Sequence, residues 1–156
     1  MADLPDGARL GIDWGKARIG VAAAARGTTF AFPVATVTAG PRELADLEAL
    51  VREYEPVVVY VGLPLTLAGE RSWAADFVLE RAAAMAAQLR ATQVRLVDER
   101  LSTSSASRTL GAAGRDAKRQ RLVIDQAAAV EILQRAIERE SASGSWAGEI
   151  LEVEEQ

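Results

Sequence analysis

The chain of 156 residues contains no cysteine and no histidine. The first absence excludes disulfides, cysteine-held zinc and thiol nucleophiles. The second removes the commonest general base and the commonest transition-metal ligand. Long apolar runs are missing too: none reaches the ~18 residues that a membrane helix needs. Met1–Arg9 lacks a basic segment followed by an apolar one, so no signal peptide is expected and the expected location is the cytoplasm. Catalysis, if present, must rest on carboxylates, hydroxyls, Lys, Arg or backbone amides. Carboxylates without imidazole or thiolate favour hard cations such as Mg2+ or Mn2+.

What is present is ordinary for a globular chain: 49% apolar and 26% charged residues, enough for one domain with one real core. The net charge of −4 speaks against nucleic acid only until its distribution is followed. The last eight residues carry Glu149, Glu152, Glu154 and Glu155 and no base, which leaves 18 acids and 18 bases in the body. Between Arg100 and Arg121 stand six bases and one acid, Asp116. A basic segment on a neutral body can bind phosphate.

Arg9–Trp14, Ile19–Ala25 and Thr28–Thr36 read as three short strands, with Gly15-Lys16 and Arg26-Gly27 where tight turns are needed. Strands joined by such short turns form an antiparallel meander. Pro41 opens a helix in which Leu44, Leu47, Val51 and Tyr54 recur at helical spacing, and Pro56 ends it. Val57–Val61 is an unbroken β-branched and aromatic run, expected of a strand covered on both faces. Gly62–Arg71 reads as a loop, and Ser72 as the cap of a helix with the stripe Ala74, Val78, Ala82, Met85 and Leu89. Val94–Val97 is a further strand, followed by a short helix over Thr103–Gly111 and a polar basic loop over Gly114–Arg121. Asp125 is expected to open the last helix, with Ala129, Ile132, Leu133 and Ala136 as its buried stripe. Residues 1–140 then make one domain, and residues 141–156 an acidic, flexible tail.

This order predicts an α/β fold with a five-stranded mixed sheet. The first three strands form the antiparallel meander, the two later strands run parallel to the first through right-handed crossovers, and helices cover both faces. The switch between the halves falls beside the first strand, and ligands of open α/β sheets gather at such a point. Three acids stand where that rim is expected: Asp13 at the end of the first strand, Glu99 after the fifth, and Asp125 at the start of the last helix. Converging carboxylates could hold two divalent ions about 4 Å apart, which activate a water and stabilise the leaving oxygen of a phosphodiester. The glycines flanking Asp13 would let backbone and phosphate approach closely. Each acid also has a plainer assignment: Asp125 as a helix cap, Asp98 and Glu99 as solvated charges, and Gly11-Ile-Asp-Trp-Gly15 as a turn. The bases Arg115, Lys118, Arg119 and Arg121 crowd the segment before Asp125, either as a solvated loop or as a phosphate grip. Trp14 and Trp73 could stack a base or pack in the core and at its rim.

Four blocks carry a resemblance: GIDWGKARIGVA at 11–22, VVVYVGLPLTLAGE at 57–70, VRLVDERLSTSSA at 94–106 and RLVIDQAAAVEIL at 121–133. In this order and spacing they resemble the YqgF family, also called RuvX. Its members are candidate Holliday junction resolvases, now usually described as nucleases for the precursor of the small-subunit ribosomal RNA. The resemblance implies a ribonuclease H-like fold and a metal-dependent endonuclease that processes the 5′ end of pre-16S rRNA, with Asp13, Glu99 and Asp125 as the acidic triad and Mg2+ or Mn2+ as cofactor. It implies a phosphate-facing role for Gly62 and Gly69, and for Arg100 beside Ser102 and Thr103, although capping serves Ser102 and Thr103 equally well. The implied partners are a structured nucleic acid, RNA precursor or branched DNA, and ribosomal particles. Two positions depart from pattern. Thr66 stands where the family often has Asn, and Ala128 where more distant junction resolvases carry a fourth acid.

Competing assignments follow from the same residues. Gly-x-Asp-x-Gly on a first strand also occurs in sugar kinases and Hsp70-like ATPases, but those bind ATP between two such domains and this chain has one. Resolution of branched DNA is the alternative nuclease activity. A non-catalytic RNA-binding assembly factor is the alternative of another class.

Overall fold

Alternation along the first strand decides which layer covers which face of the sheet. A computed structural model of the chain describes residues 6–66, 68–89, 92–98 and 117–152, with the backbone alone from 117 to 125. Its elements are β1 (Ala8–Trp14), β2 (Arg18–Ala24), β3 (Phe32–Thr38), α1 (Glu43–Tyr54), β4 (Pro56–Leu63), α2 (Trp73–Leu89), β5 (Gln93–Asp98), α3 (Ala117–Ser143) and β6 (Glu149–Ile150). Successive side chains of a strand point to opposite faces. Leu10, Ile12 and Trp14 therefore enter one core with Leu47 and Val51 of α1 and Val78, Ala82 and Met85 of α2. Ala22, Ala24, Val58 and Tyr60 enter the other with Ala129, Leu133, Ala136 and Ile137 of α3. The sheet is thus covered on both faces, as expected.

The strand order is β3-β2-β1-β4-β5-β6. β1 pairs antiparallel with β2, and β2 with β3, while β4 runs parallel to β1 and β5 parallel to β4. This is the predicted mixed sheet with one strand more. β6 lies in the segment read as an acidic tail and pairs antiparallel with β5. Its anchors are not its acids. Arg95 of β5 donates to the carbonyls of Ala147 (2.7 Å) and Gly148 (2.9 Å), and the Leu151 amide donates to Val94. Ala147 is buried, and Trp146 packs on the α3-side core.

The starts of β3 and of the last helix differ most from expectation. β3 starts at Phe32 instead of Thr28, because the turn after β2 uses Thr28, whose amide and hydroxyl both donate to the Ala25 carbonyl. The last helix starts at Ala117, eight residues before Asp125. Lys118, Arg119, Gln120, Arg121 and Leu122 are all good helix formers, so their charge does not make a loop, and Asp125 is an interior helix position and not a cap. The short helix expected over Thr103–Gly111 lies outside the described residues. Among the described residues, no helix is long and apolar enough to cross a membrane.

One buried polar cluster ties the layers together. Glu140 of α3 accepts from Arg9 of β1 at 2.9 Å and from the Tyr60 hydroxyl of β4, which in turn accepts from the Ala147 amide. Burial first, and then the bond to Glu140, raises the Tyr60 pKa well above its ordinary value of 10.0. In the unfolded chain the phenol ionises near that value while the folded chain keeps its proton. The stabilisation is therefore complete below pH ~10 and is lost as pH rises, by at most about 1.4 kcal/mol per pH unit. Urea unfolding across alkaline pH should show a shallower loss for Tyr60→Phe than for the parent chain; equal slopes would remove this cause.

Candidate functional site

Asp13 stands half-buried at the carboxyl end of β1, one residue before its last. It faces the α3 side, because it shares a face with Gly11, and a Cβ on Gly11 would lie 2.6 Å from the Leu133 Cβ and 3.0 Å from the Ala129 carbonyl oxygen. The helix backbone thus rests on β1 at Gly11. Positions 125, 129 and 133 share one face of a helix, so position 125 lies one turn nearer the end of β1. The helix rises about 6 Å over four residues and β1 about 7 Å over two, which brings position 125 abreast of Asp13. A side-chain contact supports this register. Asp13 pairs with Gly20 and Gly20 with Thr36, and the Gln126 amide donates to Thr36 Oγ1 at 2.9 Å.

The other expected residues fall as follows. β5 ends at Asp98, two strands from β1, with Asp98 in register with Leu63; Glu99 follows it but, like Arg100 and Arg115, lies outside the described residues. Lys118, Arg119 and Arg121 occupy the first two turns of α3, where the backbone alone is described. Gly62 is buried within β4, next to Leu63. Gly69 is exposed, with φ of +82°, in a turn closed by the Thr66 amide on the Glu70 carbonyl. Thr66 holds that turn through its hydroxyl, which accepts from the Glu70 amide at 3.1 Å.

The glycines around Asp13 both have a role in the fold. Gly11 is covered by α3, and a Cβ on Gly15 would lie 2.6 Å from the Arg18 carbonyl oxygen across the β1–β2 turn. Trp14 is a core residue whose indole donates to Glu43 Oε2 at 3.2 Å. Trp73 is the opposite case, 62% exposed at the start of α2. Lys16, a turn residue by sequence, holds its ammonium 4.0 Å from the centre of the Trp73 ring. The aromatic pair Trp73 and Phe77, four apart on a helix, was its only signal.

The close seat of α3 on Gly11 makes a prediction. Gly11→Val overpacks a contact between two backbones and should cost about 1–3 kcal/mol. Because it lifts the helix that carries Asp125 away from Asp13, activity well below the melting temperature should fall further than stability does. A variant that is destabilised yet fully active would show that this contact does not position the site.

The donor set fits a hard divalent cation. The chain offers no imidazole or thiolate, and the rim brings one carboxylate level with the helix position of a second. Among the described residues no three acids lie close enough to hold a metal ion together; Glu99 and the Asp125 side chain are not among them.

Comparison with known proteins gives a consistent picture. The model of a family described as RuvX, Holliday junction resolvase, matches residues 7–139. A relative from Cutibacterium acnes is 49% identical over 142 residues, covering 88% of this chain and 89% of its own length. One from Streptomyces avermitilis is 46% identical, with 94% and 96% covered. One from Mycobacterium tuberculosis is 49% identical, with 88% and 82% covered. All three are named as candidate pre-16S rRNA nucleases. Among solved structures, Thermus thermophilus RuvC superposes with a TM-score of 0.55 at 17% identity, covering 92% of this chain and 99% of that one. The same protein in complex with a Holliday junction substrate gives 0.54, also at 17%, with 88% and 97% covered. These likenesses show the fold.

Proposed function

The chain belongs to the RuvX family, and on that premise we propose that it is a metal-dependent endonuclease that hydrolyses phosphodiester bonds in 5′-end processing of pre-16S rRNA. The observation that carries this reading is the placement of Asp13 at the strand-order switch between β1 and β4, level with position 125 of α3. Asp13, Glu99 and Asp125 would hold Mg2+ or Mn2+, which when bound supplies positive charge at the scissile phosphate. No other side-chain chemistry in the chain does this work as well, because it has neither His nor Cys. Gly69 at its exposed turn, Arg100, Arg115, Lys118, Arg119 and Arg121 are assigned to the nucleic acid backbone, whereas Gly62, buried in β4 beside Val97, is given to the sheet. The domain extends past the expected boundary at residue 140 to include β6, and it works in the cytoplasm, on free precursor or on ribosomal particles.

The family's description as a Holliday junction resolvase favours a second substrate, branched DNA, for the same site. Depletion in cells separates the two: precursors of 16S rRNA should accumulate, and a chain carrying Asp13→Asn should fail to clear them. Clearance by that variant, together with no cleavage by the purified parent chain, would make the protein a non-catalytic assembly factor. Normal rRNA with persistent DNA junctions would leave resolution as the activity.

The basic start of α3 gives a separate prediction. Each phosphate contact releases counterions, so each one lost should reduce the salt slope of log K by about 0.7–0.9. Replacing Arg115, Lys118, Arg119 and Arg121 together with Ala should weaken binding of structured RNA and flatten its salt dependence, with little change in sequence preference. Cleavage at saturating RNA should survive better than affinity. An unchanged slope would place the grip elsewhere.

A further inference from the structure

We propose that Trp73 and Phe77, bracketed by Lys16 and Arg81, form a stacking platform for one unpaired base of the nucleic acid being cut, beside the rim that carries Asp13. This rests on the nuclease reading above and adds a subsite to it. The two rings stack at 5.8 Å with 19° between their planes. Phe77 is half-buried against the core, and Trp73, stacked on it, is 62% exposed. Each ring has its own cation: the Lys16 ammonium 4.0 Å from the Trp73 centre, and the Arg81 guanidinium 5.4 Å from the Phe77 centre. Between them opens a recess of about 420 Å3 lined by Lys16, Gly40, Glu43, Phe77 and Arg81. Its Glu43 carboxylate is already engaged, by the Trp14 indole and at 3.6 Å by Arg81.

An exposed flat aromatic surface between two cations suits a ligand that is planar and anionic at once, and a nucleotide is both. Position relative to the acids decides which nucleotide. Lys16 follows Asp13 by three residues, which span at most about 11 Å of chain, and the β1–β2 turn that holds it is closed by the Gly15 amide on the Arg18 carbonyl at 3.0 Å. The platform lies on the α2 side of the sheet and Asp13 on the α3 side. A strand crossing the rim at Asp13 therefore passes close to Lys16, which leads it to Trp73.

Lys16 now rests on the face that the base would take, and magnitudes decide the exchange. A cation over an exposed ring contributes a factor of about two to five, whereas a base stacked on an aromatic side chain contributes about five- to a hundredfold. The base displaces a flexible ammonium, which then meets the adjoining phosphate. Stacking tolerates any base, so the subsite selects unpaired over paired nucleotides and not one sequence over another.

The test uses the full chain with a short single-stranded oligo(A) RNA, the same RNA paired into a duplex, and free AMP. Oligo(A) should quench the indole emission, and Trp73→Ala should abolish that quenching and lower oligo(A) affinity about tenfold. Duplex affinity should be unchanged, and Trp73→Phe should restore most of the binding. Melting temperature should be the same in all three chains because the ring is exposed. If the parent chain binds oligo(A) and cuts RNA but Trp73→Ala binds oligo(A) equally well, the platform is wrong and the nuclease reading stands. Equal affinity for AMP and oligo(A) would make this a free-nucleotide site and overturn the proposal. A parent chain that binds no RNA and cuts none would overturn both.

Discussion

Asp13→Asn should lower cleavage at least about a thousandfold while leaving the melting temperature unchanged or slightly raised. The two side chains have the same shape, and Asp13 lies half-exposed at a strand end, so packing has little to lose. What is lost is one of the negative oxygens that hold a hard cation, and a bound ion contributes several kcal/mol to transition-state charge, with each 1.4 kcal/mol worth about tenfold in rate. Glu99→Gln and Asp125→Asn should match it, and the triple variant should be hardly worse than any single one, because groups that act as a unit are not additive. A folded Asp13→Asn chain that cuts at the parent rate would remove Asp13 from the site.

Glu140→Ala should have the largest effect on stability, about 3 kcal/mol, or a fall in melting temperature of roughly 6–12 °C for a chain of this size. Glu140 is a buried acid that accepts from Arg9 and Tyr60, and Arg9 is only 13% exposed. Truncation leaves a guanidinium and a phenol in a dry place without their acceptor. The double variant Arg9→Met, Glu140→Leu should recover much of the loss, since replacing both partners with apolar groups removes the unpaired charge. Activity far below the melting temperature should change little: Glu140 lies fifteen residues along α3 from Asp125, about 22 Å of helix. Thermal melts of the two variants decide it, and a single variant within about 0.5 kcal/mol of the parent, the spread of ordinary surface substitutions, would show the cluster to be dispensable.

Much of this architecture was readable from local patterns. Leu10, Ile12 and Trp14 alternate with Gly11 and Asp13, so strand and facing follow from a period of two. Val78, Ala82 and Met85 recur at helical spacing and do line α2. What escaped depends on partners distant in the chain. β6 is two residues long and exists because Arg95 and Val94 receive it, while its own acids suggest a solvated tail. The Arg9–Glu140 pair spans 131 positions, and nothing local marks Glu140 as buried. The start of α3 was masked by its charge, although Lys and Arg favour helix. At the site, Asp13 and the level of position 125 follow from topology. The reason for Gly11 does not: it serves contact with α3, which no single-strand pattern shows. Lys16 reads as a turn residue until the fold brings α2 over it.

The most direct measurement is cleavage of a 5′-extended 16S rRNA precursor by the purified full chain, with Mn2+ or Mg2+ and with chelator. Endonucleolytic products at the 5′ end are expected with either ion and none with chelator. Identical products with chelator, or an intact precursor at every ion concentration, would contradict metal-dependent processing.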